Sequence, residues 1–178
     1  MFILSDDMLE ARDLITKMLV PLDGSDQSKS ALEYAVDLAL QTSSEIQLLT
    51  VVPPVFLPSY SFYVLKSDAI RDCQKELELS FKGVLKKGLL YIDNRKTSLK
   101  VSTKLENGVP YEEIVKAAKE GDFDLIIMGS RGLGGRISFQ GSVSSRVIDE
   151  APCPVLLIKQ KYIRSALRKT ASSRRGKK

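Results

Sequence analysis

Five short apolar segments alternate with helical patterns along this 178-residue chain. The apolar segments predict strands at residues 17–23, 46–52, 99–105, 124–128 and 154–159. Helical spacing predicts helices at residues 25–39, 67–92, 110–121 and 142–150, the first capped by Ser25, Asp26 or Ser28. Regular alternation of this kind predicts a single α/β domain with a five-stranded, doubly wound parallel sheet, covered by helices on both faces.

The predicted strands differ in their polarity. Residues 99–105 alternate apolar and polar side chains, which predicts a half-exposed strand at an edge of the sheet. In open α/β sheets a ligand binds beyond the carboxyl ends of the strands, where the strand order reverses. The first and fourth strands, which end near Asp23 and Met128, are therefore expected to border a ligand crevice.

A glycine-rich segment, GSRGLGGRISFQGSVS, occupies residues 129–144 directly after the fourth strand. Glycine lets the backbone approach a ligand closely, and free N–H groups at a helix start favour an anion. The phosphate tail of a nucleotide fits this pattern, with Arg131 and Arg136 as added charge. On spacing alone an equal alternative stays open, in which the glycines only turn the chain and Ser142 only caps a helix. Neither a P-loop nor the dinucleotide pattern G-x-G-x-x-G is present.

Composition excludes several kinds of chemistry. The chain has no histidine, which rules out Ser-His-Asp or Cys-His catalysis and histidine metal sites within it. Its two cysteines, Cys73 and Cys153, form neither a disulfide framework nor a metal cluster and are expected to be reduced and structural. The apolar runs are strand-sized and residues 1–13 are too acidic for a signal peptide, so we expect a cytoplasmic protein without a transmembrane segment.

Positive charge is concentrated at the carboxyl end. Residues 159–178 hold nine Lys or Arg and no acid, so residues 1–158 carry a net charge of −4 although the whole chain carries +5. We expect three regions: an extension at residues 1–16 with a short helix at 6–15, a folded domain at 17–159, and a basic tail at 160–178. The tail is expected to be solvated, with a short helix at 162–167. A weak polyanion contact with nucleic acid or anionic lipid is the alternative, which salt-dependent binding lost on truncation after Gln160 would support.

Several motifs together resemble the universal stress protein family, over residues 17–159. They are Val20-Pro21-Leu22-Asp23-Gly24-Ser25, Gly108-Val109-Pro110, Ile126-Ile127-Met128-Gly129-Ser130-Arg131-Gly132, Gly141-Ser142-Val143-Ser144 and Pro152-Cys153-Pro154-Val155-Leu156. The resemblance implies a Rossmann-like fold, of the adenine nucleotide alpha-hydrolase-like kind, with strand order 3-2-1-4-5. It also implies a homodimer, often paired through the last strands, which here means the apolar edge Val155–Ile158.

One branch of that family binds ATP through the pattern G-x2-G-x9-G-[ST]. Here Gly129, Gly132 and Gly141-Ser142 match, but the second spacer has eight residues. The resemblance implies that Pro21, Asp23 and the backbone of Val51 meet the adenine. It implies further that the ribose and phosphates are lined by Met128, Gly129, Gly132, Gly141, Ser142, Val143 and Ser144.

The resemblance and the residue types together predict an ATP-binding stress-response regulator or switch, with Mg²⁺ accompanying the nucleotide. No histidine, P-loop lysine or acidic residue in the glycine loop is present to drive fast turnover, so we expect little or slow hydrolysis and no dedicated enzyme. Phosphorylation of Ser142, Ser144 or Ser145 is a minor alternative. The main alternative is a dimeric interaction module that binds no nucleotide and acts on an unidentified protein partner.

Overall fold

The computed structural model describes residues 15–55, 67–95, 98–132 and 142–159. The strands are β1 (Lys17–Pro21), β2 (Glu45–Val52), β3 (Val101–Asn107), β4 (Leu125–Gly129) and β5 (Val155–Ile158). The helices are α1 (Asp26–Thr42), α2 (Ser67–Asn94), α3 (Pro110–Glu120) and α4 (Ser142–Glu150). Each predicted strand and helix of the domain is therefore present, and α4 has the predicted bounds.

All neighbouring strands pair in parallel in the order β3-β2-β1-β4-β5. This order confirms the predicted sheet, and β3 lies at an edge as its alternating polarity predicted. The prediction that the first strand extends to Asp23 was wrong, because β1 ends at Pro21. Beyond it the Leu22 N–H still donates to Leu49 O at 2.7 Å, and the buried Thr50 hydroxyl donates to Leu22 O at 3.0 Å.

Helices cover both faces of the sheet and enclose two apolar clusters. The first cluster joins α1 and α2 to the sheet, with Ala35, Leu48 and Ile127 fully buried. The second joins α3 and α4 to the opposite face, with Leu19, Ile126 and Val147 fully buried. Burial on both faces accounts for the nearly continuous apolar runs of β1, β2 and β4.

The amino ends of β1 and β4 are fastened together by Asp124. Its Oδ2 accepts hydrogen bonds from Thr16 N and Thr16 Oγ1, both at 2.8 Å, and from Lys17 N at 2.9 Å. The hydrogen bond from the Thr16 side chain is the largest cause that lowers the pKa of Asp124 below its ordinary value. These bonds fix the two strands to each other at the end opposite the expected crevice.

The two cysteines lie in different surroundings. Cys153 is half-buried and packs against the second cluster, and burial raises the pKa of its thiol. Cys73 is a free cysteine whose side chain is exposed near the start of α2. Residues 6–14 of the first predicted short helix, and all of the second at 162–167, lie outside the described residues, and residue 15 is not helical. Within the described part of the chain, no helix has the length and apolarity needed to cross a membrane.

Candidate functional site

The pairing of β1 with β4 stops short of the carboxyl ends of both strands, at the position of the expected crevice. Their pairing includes Met18 with Leu125 and Leu19 with Ile126, but it goes no further along the strands. In contrast, β1 stays paired with β2 as far as Pro21, and β4 stays paired with β5 as far as Gly129. The two middle strands therefore separate where the strand order reverses, which is where α/β sheets bind ligands.

Asp23 lies at the β1 side of this crevice and is half-buried. Its Oδ1 accepts hydrogen bonds from Ser25 N at 3.0 Å and from Ser25 Oγ at 2.6 Å. Ser25 is also the N-cap of α1, since its Oγ accepts from Ser28 N at 3.1 Å. The carboxylate of Asp23 is thus connected through one hydroxyl to the first turn of α1.

Two glycines, Gly129 at the end of β4 and Gly132 in the segment that follows, pack closely against the β1 side. A Cβ at Gly132 would lie 2.6 Å from Asp23 Oδ2, so the carboxylate occupies the space beside this glycine. A Cβ at Gly129 would lie 2.8 Å from Gln27 Cβ and 3.0 Å from Ser28 N in α1. A Cβ at Gly129 would meet backbone atoms of α1, so that position requires glycine, whereas a Cβ at Gly132 would displace the end of the Asp23 side chain.

The first turn of α4 is held against the end of β4. Ser144 is 2% exposed, and its Oγ donates to Ser130 O at 3.0 Å. Ser130 is itself buried and its N–H donates to Ile158 O at 3.1 Å. This chain of bonds places the start of α4, and the positive end of its dipole, beside the carboxyl ends of β4 and β5.

Apolar side chains border the site on the face covered by α3 and α4. Val51 and Met128 are buried at the ends of β2 and β4, and both belong to the second cluster. Val143, in the first turn of α4, packs against that cluster. An apolar surface, a carboxylate and a helix start therefore lie near one another at the carboxyl ends of the strands. Sites for small molecules combine features of this kind.

The predicted residues take different positions around this region. Pro21 is buried at the end of β1, whereas Arg131 and Ser142 are exposed. Gly141 lies outside the described residues. Sequence reasoning considered Ser25 only as a cap and did not single out Ser130 or Thr50. The turn Asp23-Gly24-Ser25 was the one sequence pattern that pointed to Ser25. No sequence pattern pointed to Ser130 or Thr50. Among the described residues, no group of three or more acidic or cysteine side chains is placed to hold a metal ion.

The strand order and the helices on both faces of the sheet define a doubly wound α/β protein. The universal stress protein family model matches residues 15–159, so the chain belongs to the universal stress protein family. A universal stress protein of Methanocaldococcus jannaschii is 34% identical over 164 residues, which cover 89% of this chain and 91% of the relative. The Bacillus subtilis protein YxiE is 32% identical over 82% of this chain and 100% of its own length.

Solved structures agree with this assignment. UspA from Lactobacillus plantarum is similar with a TM-score of 0.70 and 26% identity, covering 82% of this chain and 98% of its own. A universal stress protein from Archaeoglobus fulgidus, solved in complex with dAMP, is similar with a TM-score of 0.55 and 24% identity, covering 82% and 99%. At that identity the second structure supports the shared fold alone.

Proposed function

We propose that this universal stress protein binds ATP in the crevice between β1 and β4. The observation that carries the proposal is the separation of these strands beyond Leu19 and Ile126, with Asp23 on one side and the start of α4 on the other. A carboxylate recognises N–H donors of a base, and a helix start favours phosphate. The two features therefore match opposite ends of a nucleotide.

The described side chains suggest how the nucleotide is oriented. Asp23, Pro21 and the backbone of Val51 receive the adenine, beside the apolar side chain of Met128. The backbone of Gly129 and Gly132, with Ser142 and Val143, receives the ribose and phosphates, and the exposed Arg131 adds positive charge. Ser144 supports the site indirectly, because its hydroxyl donates a hydrogen bond to Ser130 O and so holds the first turn of α4 in place. Gly141 completes the phosphate contacts by its place in the family pattern.

Binding without efficient hydrolysis makes the protein a nucleotide-dependent switch. The chain has no histidine, and its glycine segment has neither an acid nor a P-loop lysine to position water or a metal ion. A bound triphosphate contacts both the segment after β4 and the first turn of α4, so it stabilises one arrangement of these elements for a partner. Mg²⁺ is proposed to enter with the phosphates.

Calorimetric titration of nucleotide-free protein tests this proposal. With Mg²⁺ present, we expect ATP to bind in the micromolar range, AMP to bind more weakly, and GTP to bind more weakly still. Any hydrolysis of the bound ATP should be slow, with phosphate released on a timescale of hours or longer. Gly141→Val should abolish ATP binding, because a branched side chain prevents close approach of the phosphates. Gly83→Ala is the matched control, since a Cβ at that position in α2 meets no atom within 4 Å.

The interaction-module alternative has its own support. Gly129 is required for packing against α1 within the fold itself, and the spacer before Gly141 is one residue shorter than the ATP-binding pattern. Absence of heat, together with an unchanged melting temperature at millimolar ATP, would favour this alternative and refute the proposed switch.

We further propose that two copies of the chain associate through β5. On one side β5 pairs with β4, and in the described part of the chain no strand pairs with its other side. Its residues Val155, Leu156 and Leu157 are only partly buried, so a second copy would cover apolar surface as well as a free edge. We expect a mass of two chains by light scattering, and Leu156→Lys should yield the mass of one. A wild-type mass of one chain at micromolar concentration would rule out this assembly.

A further inference from the structure

The Ser25 hydroxyl makes two hydrogen bonds with different purposes. Its oxygen accepts from Ser28 N at 3.1 Å, which is the ordinary bond of an N-cap. Its proton is donated to Asp23 Oδ1 at 2.6 Å, a short bond to a carboxylate that helix capping does not require. Since Ser25 is only 7% exposed, water competes little for either bond.

The second bond restrains a group that belongs to the candidate site. Asp23 Oδ1 is held by both the N–H and the hydroxyl of Ser25, while Oδ2 lies beside Gly132, where a Cβ would be 2.6 Å away. The carboxylate is therefore held by hydrogen bonds from the α1 side and lies close to Gly132 of the segment after β4. A group held in this way loses little conformational freedom when a ligand binds.

We propose that Ser25 is a positioning residue that holds the Asp23 carboxylate ready for the N–H donors of an adenine base. This inference rests on the proposed function and identifies what sets its base specificity. The N–H of Ser28, the hydroxyl of Ser25 and the carboxylate form a chain of bonds in which each polarises the next. Adenine presents an amino group where guanine presents a carbonyl oxygen, so a fixed carboxylate attracts the first and repels the second.

Two substitutions separate positioning from capping. Glycine is a nearly adequate N-cap, so Ser25→Gly removes the hydroxyl while lowering the stability of α1 only slightly. Ser25→Thr keeps a hydroxyl that can both cap α1 and donate to Asp23. If Ser25 had a purely structural role, the ATP affinity of each variant would fall only as far as its melting temperature falls. If Ser25 positions Asp23, the ATP affinity falls in Ser25→Gly and not in Ser25→Thr.

The experiment measures ATP affinity by calorimetry for the wild type, Ser25→Gly, Ser25→Thr, Asp23→Asn and the double variant Asp23→Asn with Ser25→Gly. We expect Ser25→Gly to weaken ATP binding about tenfold, which is the size of one hydrogen bond to a charged group. Ser25→Thr should bind within about twofold of the wild type, less than one weak hydrogen bond. In the Asp23→Asn background, Ser25→Gly should cause no further loss, because the two residues act together.

Unchanged affinity in Ser25→Gly would overturn the inference while leaving the proposed function intact. The inference would also be overturned if Ser25→Gly weakened ATP binding as much in the Asp23→Asn background as in the wild type. If the wild type itself binds no nucleotide, the proposed function fails, and this inference fails with it.

Discussion

Leu48→Ala should lower the free energy of unfolding by about 2–5 kcal/mol. Leu48 is fully buried in the middle of β2, where its neighbours in register are Val20 of β1 and Thr103 of β3. Its side chain belongs to the first apolar cluster, between the sheet and the helices α1 and α2. Truncation leaves a cavity that the surrounding strands cannot fill, since the backbone ladders hold them in place.

Urea denaturation followed by circular dichroism measures this loss as a lower midpoint at an unchanged slope. Leu79→Ala is the matched control, because Leu79 is 67% exposed on α2 and alanine is at least as good a helix former. The control should differ from the wild type by less than about 0.5 kcal/mol. Similar losses in the two variants would mean that β2 is not the centre of the core.

Gly129→Ala should cost about 1–3 kcal/mol of stability and weaken nucleotide binding at the same time. A Cβ at Gly129 would lie 2.8 Å from Gln27 Cβ, 2.9 Å from Gln27 C and 3.0 Å from Ser28 N. Two of these atoms are backbone, so the first turn of α1 must move away from the end of β4. That movement disturbs Ser25 and the Asp23 carboxylate bonded to it.

Gly83→Ala makes the same chemical change where the structure has room. A Cβ there meets nothing within 4 Å, and alanine is the better helix former, so stability should rise by about 0.5–1 kcal/mol. Thermal unfolding and ATP titration of both variants give the comparison. If Gly129→Ala were as stable as Gly83→Ala, the close contact between β4 and α1 would be disproved.

The sequence was sufficient to predict the architecture because burial on both faces leaves a strong local signal. The apolar run of β4, the alternation in β3 and the bounds of α4 are all explained by neighbouring residues in the chain. The end of β1 was harder to predict, because Leu22 is as apolar as the residues before it. The position of this end depends on Thr50, which lies on another strand, β2. The Thr50 hydroxyl donates a hydrogen bond to Leu22 O.

The candidate site could be located from the sequence, but its contacts could not. Asp23 and the glycine segment were identified as neighbours of one crevice, since parallel strands bring their carboxyl ends together. That Gly132 lies against the Asp23 carboxylate depends on how the chain turns after β4, and no local pattern encodes that distance. The role of Ser25 was hidden by its simpler role as a helix cap.

The most direct test of the central claim is to map ATP binding by the amide resonances of isotope-labelled protein. A nucleotide in the crevice should shift residues 22–25 after β1, 128–132 at the end of β4 and 142–145 at the start of α4. Residues 101–105 in the edge strand β3 should stay unchanged and serve as the internal reference. No shifts at saturating ATP, or shifts confined to residues away from the β1 and β4 ends, would contradict a nucleotide site at this crevice.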